Sequence, residues 1–210
     1  MNTLIQTIAL SLIALIAWLS VGGHAQDLRP GNFVQTSGSE FVLSGKPFHI
    51  AGVNNHYLTF ASEGEVVRVL DDAVAMGANV VRIFLQPVIG SRDGSMPTIW
   101  NFDSAEDASN LGVKGTYLLS WNPGSGGMAI NSGKDGMQKV DFLLAEAARR
   151  GLKLYIALLD FWKYTGGAHQ ISAWYGARNA ESFFFLDPRA KSDYRAWVSY
   201  VIGHRNYYTG

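Results

Sequence analysis

Ala75-Met76-Gly77-Ala78-Asn79-Val80-Val81-Arg82-Ile83-Phe84-Leu85 and Arg149-Arg150-Gly151-Leu152-Lys153-Leu154-Tyr155-Ile156-Ala157-Leu158-Leu159-Asp160 are built on one plan. In each, an amphipathic stretch stops at a glycine and, one or two residues later, becomes an apolar β-type run. A helix closed by a left-handed glycine and followed by a strand is half of a βαβ unit. Its repetition implies a parallel sheet covered by helices. A third helical pattern leads into Tyr207-Tyr208-Thr209-Gly210 with no fourth strand after it. The chain therefore reads as the opening part of a barrel.

Working outward, Ser62-Glu63-Gly64-Glu65 has the spacing of a capping box, and Val66, Leu70, Ala73 and Gly77 then fall on one helical face. Met137, Val140, Leu144 and Ala147 do the same for the second helix. In the third, Asp187 caps, Pro188 takes the first turn, and Ala190, Tyr194, Trp197 and Val201 keep the period. Ile50-Ala51-Gly52-Val53-Asn54 is the expected first barrel strand. Ahead of it, Phe33–Gln35, Glu40–Leu43 and Phe48–Ile50, separated by glycine turns, read as short antiparallel strands, a β-hairpin plug beneath the barrel.

The 210 residues are 48% hydrophobic and 12% aromatic with a formal net charge of +0. With no basic stripe there is no electrostatic footprint for nucleic acid, which excludes that class of partner. Abundant rings and few charges suit a sugar-stacking cleft, but on composition alone the reading as a well-packed core is favoured, since large aromatics dominate cores. Residues 1–25 read as a secretory signal peptide: Leu4–Val21 is almost wholly apolar, and Gly23 and Ala25 stand three and one before a cut at Gln26. A membrane anchor is the alternative, since the run is near the lower length limit for a span. Cleavage would leave a secreted, extracellular domain, residues 26–210, with no stable membrane association. There is no cysteine, so stability must come from burial. The five histidines show no ligand spacing, so no metal site is expected.

Gln86 to Gly133 forms a connection about ten times the common length. Its Trp100, Phe102, Tyr117 and Trp121 mark an ordered excursion over the carboxyl end of the sheet, where barrels place their sites. Whether those rings bind a ligand or only pack the excursion is open. Polar residues also gather at strand ends: Asn54 and Asn55 close the first, and Asp160, Phe161 and Trp162 the third. Arg82 interrupts the second, where a guanidinium is costly unless a carboxylate or substrate meets it. It is either functional or half of a buried ion pair.

Gly45-Lys46-Pro47-Phe48, Gly52-Val53-Asn54-Asn55-His56-Tyr57-Leu58, Asn79-Val80-Val81-Arg82 and Ala145–Leu154 occur in an order that resembles the endo-β-1,4-mannanases of glycoside hydrolase family 5. The similarity continues through Gly166–Gln170, Trp174 and Phe184–Pro188 to Asn206–Gly210. The resemblance implies an α/β fold, a secreted (β/α)8 TIM barrel of which about the first three βα units are present. It implies a cofactor-free retaining glycosidase acting on β-mannan, glucomannan or galactomannan through two glutamates on strands four and seven, on the order of 5 Å apart. The acid follows an asparagine in that family. No Asn-Glu dipeptide occurs here, so no catalytic residue is present and the chain alone is expected to be inactive.

Supporting residues carry over by resemblance. Arg82 matches the strand-two arginine that holds the nucleophile ionised. Asn54 and Tyr57 match the rim of the first strand, although the family often has Trp where this chain has Tyr57. Trp162 and Trp174 fall among the residues lining the negative subsites, and Asp160-Phe161 stands where the family commonly has two asparagines. Three strands cannot close a barrel and leave an open edge prone to aggregation. The chain is accordingly expected to be a fragment or truncated product of a longer enzyme. The alternatives are a secreted non-catalytic carbohydrate-binding protein with the same aromatic rim, and a β-1,4-glucanase relative.

Overall fold

The computed structural model describes residues 33–100, 115–177 and 184–210. The leader expected at 1–25 lies outside the described residues, as does Phe102. The chain divides into two units, Met1–Phe48 and His49–Gly210. In the first, β1 (Gln35–Ser37), β2 (Glu40–Leu43) and β3 (Lys46–Pro47) form an antiparallel sheet in that order. Ser44 and Gly45 join the last two with φ of 52° and 75°, the pair of positive values that a tight primed hairpin turn requires.

The second unit is built on β4 (Gly52–Asn54), β5 (Val80–Phe84) and β9 (Lys153–Ala157), three parallel strands in the order β4-β5-β9. Val53, Val81 and Leu154 stand side by side in the register, as do Ile83 and Ile156. Helix α1 (Glu63–Ala75) carries the chain from β4 to β5, and α2 (Met137–Arg149) leads into β9. The expected capping box forms: Ser62 Oγ accepts from Glu65 N at 3.3 Å while Glu65 Oε2 accepts from Ser62 N at 2.8 Å. Both helices end alike. Gly77 and Gly151 take φ of 79° and 72°. The amides of Gly77 and Ala78 return to the carbonyls of Val74 and Ala73, and those of Gly151 and Leu152 to Ala148 and Ala147. This is the doubly bonded glycine cap that satisfies a helix's last carbonyls.

Strand alternation then decides the layering. Val53, Val81, Ile83, Leu154 and Ile156 turn toward α1 and α2 and pack with Val66, Leu70, Leu143 and Ala147. Arg150 ties the two helices through Asp71 (2.7 Å) and Glu146 (2.6 Å). On the other face Asn54, Arg82 and Tyr155 share a register line and are exposed, Tyr155 by 63%. A parallel sheet is ordinarily covered on both faces, and among the described residues this one is covered on one. Among the described residues neither β4 nor β9 has a second strand partner, so no barrel is closed.

The long connection differs from the expected excursion in being a sheet of its own. β6 (Val88–Ser91) pairs parallel with β7 (Leu119–Asn122), which pairs antiparallel with β8 (Gly127–Ile130). A 3-10 turn (Lys163–Thr165), α3 (Gly167–Trp174) and α4 (Pro188–Gly203) follow β9. Val88, Leu118, Leu119, Ile171, Trp174 and Trp197 make the core around them. Three rings of the connection pack it in place: Trp100 donates to the Val88 carbonyl at 2.9 Å, Tyr117 is buried, and Trp121 meets Trp174 and Tyr175.

Candidate functional site

The side chains that follow the carboxyl ends of the three parallel strands converge. After β4 the chain turns on Asn55, whose Oδ1 accepts from the amides of Tyr57 and Leu58 at 2.9 and 3.0 Å, a local hydrogen-bonded turn. Asn79, just ahead of β5, clamps the lead into β4: its Oδ1 accepts from Ala51 N and its Nδ2 donates to the His49 carbonyl. With β4 and β5 so registered, Asn54 lies beside Arg82. Arg82 Nη1 donates to Asn54 Oδ1 at 3.2 Å, and its Cζ sits 4.3 Å from the centroid of the Phe84 ring. The guanidinium is exposed on the uncovered face, with no carboxylate partner among the described residues. The desolvation cost expected of a strand-centre arginine therefore does not arise, and the buried ion-pair reading does not hold.

Arg82, Phe84, His56, Asp160, Trp162 and Tyr164 line an open cavity of about 810 Å³, completed by Ala157, Leu159 and Phe161. Trp162 is 64% exposed and Tyr164 is also exposed. Of the residues singled out from sequence, Arg82, Asp160 and Trp162 are brought to this cavity, and Asn54 adjoins it through Arg82. Tyr57 is exposed but does not line it. Trp174 sits elsewhere. It is 3% exposed, its Nε1 donates to the Ile89 carbonyl at 3.0 Å, and it packs near Trp121 of the long connection. That apolar surroundings and one satisfied N–H make it core packing in this structure.

Sequence reasoning passed over His56, Phe84 and Tyr164. His56 lines the cavity. Its Nε2 faces Asp160 Oδ2 at 3.4 Å, and its ring lies 4.9 Å from Phe84 and 4.8 Å from Tyr164. The available signal was position: each follows or ends a parallel strand on the side where α/β sheets place their ligands. Asp160 is buried rather than presented, accepting from Trp162 N at 3.2 Å.

The cavity thus offers ring faces, a guanidinium donor on the open sheet face and one engaged carboxylate. Such a surface can stack a sugar ring and hydrogen-bond its hydroxyls. Two-carboxylate hydrolysis needs a second acid, and the lining contains none. Among the described residues no three His, Asp or Glu side chains converge as a metal site would require.

No family model matches the chain. Curated relatives do. It is 27% identical over 174 residues to a probable mannan endo-1,4-β-mannosidase A of Aspergillus flavus, covering 82% of this chain and 39% of that protein. To mannan endo-1,4-β-mannosidase A of Podospora anserina it is 26% identical over 195 residues, covering 92% and 44%. Among solved structures, an endo-1,4-β-mannanase from Rhizomucor miehei superposes with a TM-score of 0.69 at 27% identity, over 85% of this chain and 43% of that one. A family 5 mannosidase from the same organism, 19% identical with a TM-score of 0.62, shares the fold. The chain spans about two fifths of the length of the relatives it matches. The likeness is to family 5 mannanases and is consistent with an N-terminal part of one.

Proposed function

We propose that this chain is the N-terminal part of a secreted endo-1,4-β-mannanase with a (β/α)8 barrel. In this reading it supplies the first three parallel strands and one wall of the substrate cleft. The observation that carries the proposal is the face of the β4-β5-β9 sheet that the described residues leave uncovered. Arg82 and Asn54 stand on it, and the aromatic cavity opens at its carboxyl end. In a closed barrel that face would turn inward and that end would hold the site. Arg82 would then meet the nucleophilic glutamate, a cation beside a carboxylate favouring its charged form. Trp162 and Tyr164 would stack mannose units of β-mannan, glucomannan or galactomannan, and both glutamates would come from strands four and seven.

The single carboxylate of the cavity favours one consequence for the 210-residue chain by itself: it binds mannan and does not cleave it. Native affinity electrophoresis through galactomannan and hydroxyethylcellulose gels, with a reducing-end assay on the same preparation, tests this. Retardation by galactomannan with no new reducing ends is expected. Release of reducing ends would overturn the assignment of the glutamates, retardation by hydroxyethylcellulose alone would indicate a glucan-active relative, and free migration in both would remove the cleft reading. The open reading frame beyond the codon for Gly210 supplies a separate check, since it should encode a strand ending in Asn-Glu.

A further inference from the structure

Asp160 lines the cleft yet has little surface to give it, with a side chain 7% exposed. Its two oxygens are both engaged, Oδ1 by the amide of Trp162 and Oδ2 by His56 Nε2, while its carbonyl accepts from Ala168 N at 2.9 Å. Residues 160–168 therefore form a strap that starts and ends on Asp160 and carries Trp162 and Tyr164 outward. The far end is fixed sterically. Gly166 and Gly167 take φ of 96° and 52°; a Cβ at Gly166 would lie 1.9 Å from the Val88 oxygen, and one at Gly167 2.3 Å from the Asp160 oxygen. No other residue fits either place.

A chain of hydrogen bonds joins the two ends of this strap through the tip of β5. The Thr165 hydroxyl donates to Gln86 Oε1. Gln86, fully buried, donates from Nε2 to the His56 carbonyl and, at 3.2 Å, faces His56 Nδ1. With the Gln86 oxygen committed to Thr165, its NH2 must donate, so Nδ1 of His56 accepts. The ring proton is then on Nε2, which donates to Asp160. Each member has one role: the other His56 tautomer would set a ring N–H against the Gln86 NH2, and a flipped Gln86 would set its oxygen against the His56 carbonyl. We propose that Asp160 is a positioning residue for the cleft: through Trp162 N on one side and His56-Gln86-Thr165 on the other, it sets the orientation of the Trp162 stacking platform and does not itself bind sugar. This rests on the mannan-binding reading for its ligand, though not for its geometry.

The isosteric Asp160→Asn change is the discriminating one. An asparagine can accept from Trp162 N or from His56 Nε2, but its NH2 then confronts the other donor, and His56 cannot switch tautomer against Gln86. In galactomannan affinity electrophoresis, Trp162→Ala should weaken retardation roughly tenfold and Asp160→Asn at least about threefold. The double variant should be no weaker than Trp162→Ala alone, because Asp160 acts through that ring. A loss from Asp160→Asn that persists in the Trp162→Ala background would make Asp160 a sugar ligand and overturn the proposal. An unchanged Asp160→Asn affinity would overturn it too.

The geometry has its own readout in the chain labelled with 5-fluorotryptophan, the Trp162 fluorine resonance being assigned by Trp162→Phe. Asp160→Asn, and Thr165→Val at the opposite end of the circuit, should both move that resonance while leaving those of Trp174 and Trp197 in place. Should the wild-type chain bind no mannan, the functional reading fails alone and this measurement still decides. Should Asp160→Asn not fold, Thr165→Val carries the test. A Trp162 resonance indifferent to every folded variant would refute the positioning role.

Discussion

Arg82→Met separates the two readings of the strand-centre arginine when set against Ile83→Ala, its neighbour in sequence. The Arg82 guanidinium is exposed, bonded to Asn54 and set over Phe84. Removing it forfeits a cation–π contact worth about 0.5–1 kcal/mol at an exposed site and a screened hydrogen bond, so stability should fall by no more than about 1 kcal/mol. Ile83 is fully buried between the sheet and α1 and α2. Truncating it to alanine should cost about 2–5 kcal/mol, a large part of a typical total of 5–15. For binding the order reverses. A charge-assisted bond from Arg82 to a sugar hydroxyl is worth about 1.5–3 kcal/mol, so Arg82→Met should weaken mannan binding roughly tenfold to a hundredfold. Folded Ile83→Ala should bind nearly as the wild type. Urea unfolding followed by circular dichroism, with galactomannan affinity electrophoresis on the same samples, measures both. If Arg82→Met destabilises as much as Ile83→Ala, the arginine belongs to a packed interior and the open-face assignment is wrong.

Three further outcomes follow from local geometry. The Arg189 guanidinium and backbone N–H beside Asp187 hold its carboxyl down to about 2, so its contribution to the start of α4 is in place above the ordinary carboxylate range and is lost as pH falls toward 2. Asp187→Asn, which keeps the cap, should flatten that part of an acid titration followed by far-UV circular dichroism. Trp197→Phe leaves the Leu158 carbonyl without the indole donor that now reaches it at 2.6 Å, and should cost about 2 kcal/mol in a urea melt through the orphaned acceptor and lost volume. Glu146→Gln keeps the size of a buried residue but removes the charge held between Arg149 (2.7 Å) and Arg150 (2.6 Å). Thermal unfolding should show a loss of about 1–3 kcal/mol, larger than for Asp71→Asn at the exposed end of the same network.

What the amino-acid sequence determined by itself is what a few neighbouring residues can dictate. Ser62 and Glu65 cap a helix within four positions, Gly77 and Gly151 end helices because an L side chain resists their positive φ, and the apolar runs that follow must be strands. The repetition of that plan made the sheet parallel, and the ordered blocks pointed to the mannanases. The tertiary structure alone decided everything that depends on partners far along the chain. Alternation in β5 gave Arg82 and Ile83 opposite faces without saying which face α1 and α2 would cover. Residues 88–91, 119–122 and 127–130 pair into a second sheet, and β6 and β7 meet although they lie far apart in the sequence. Trp162 and Trp174 carry the same side chain twelve residues apart, and only the packing of α3 under the connection buries one while the strap exposes the other. His56 and Asp160 are separated by 104 positions. Their meeting is fixed by the registry of β4, β5 and β9, because a hydrogen bond between distant residues is specified by where the backbone sets them and not by any pattern either carries locally.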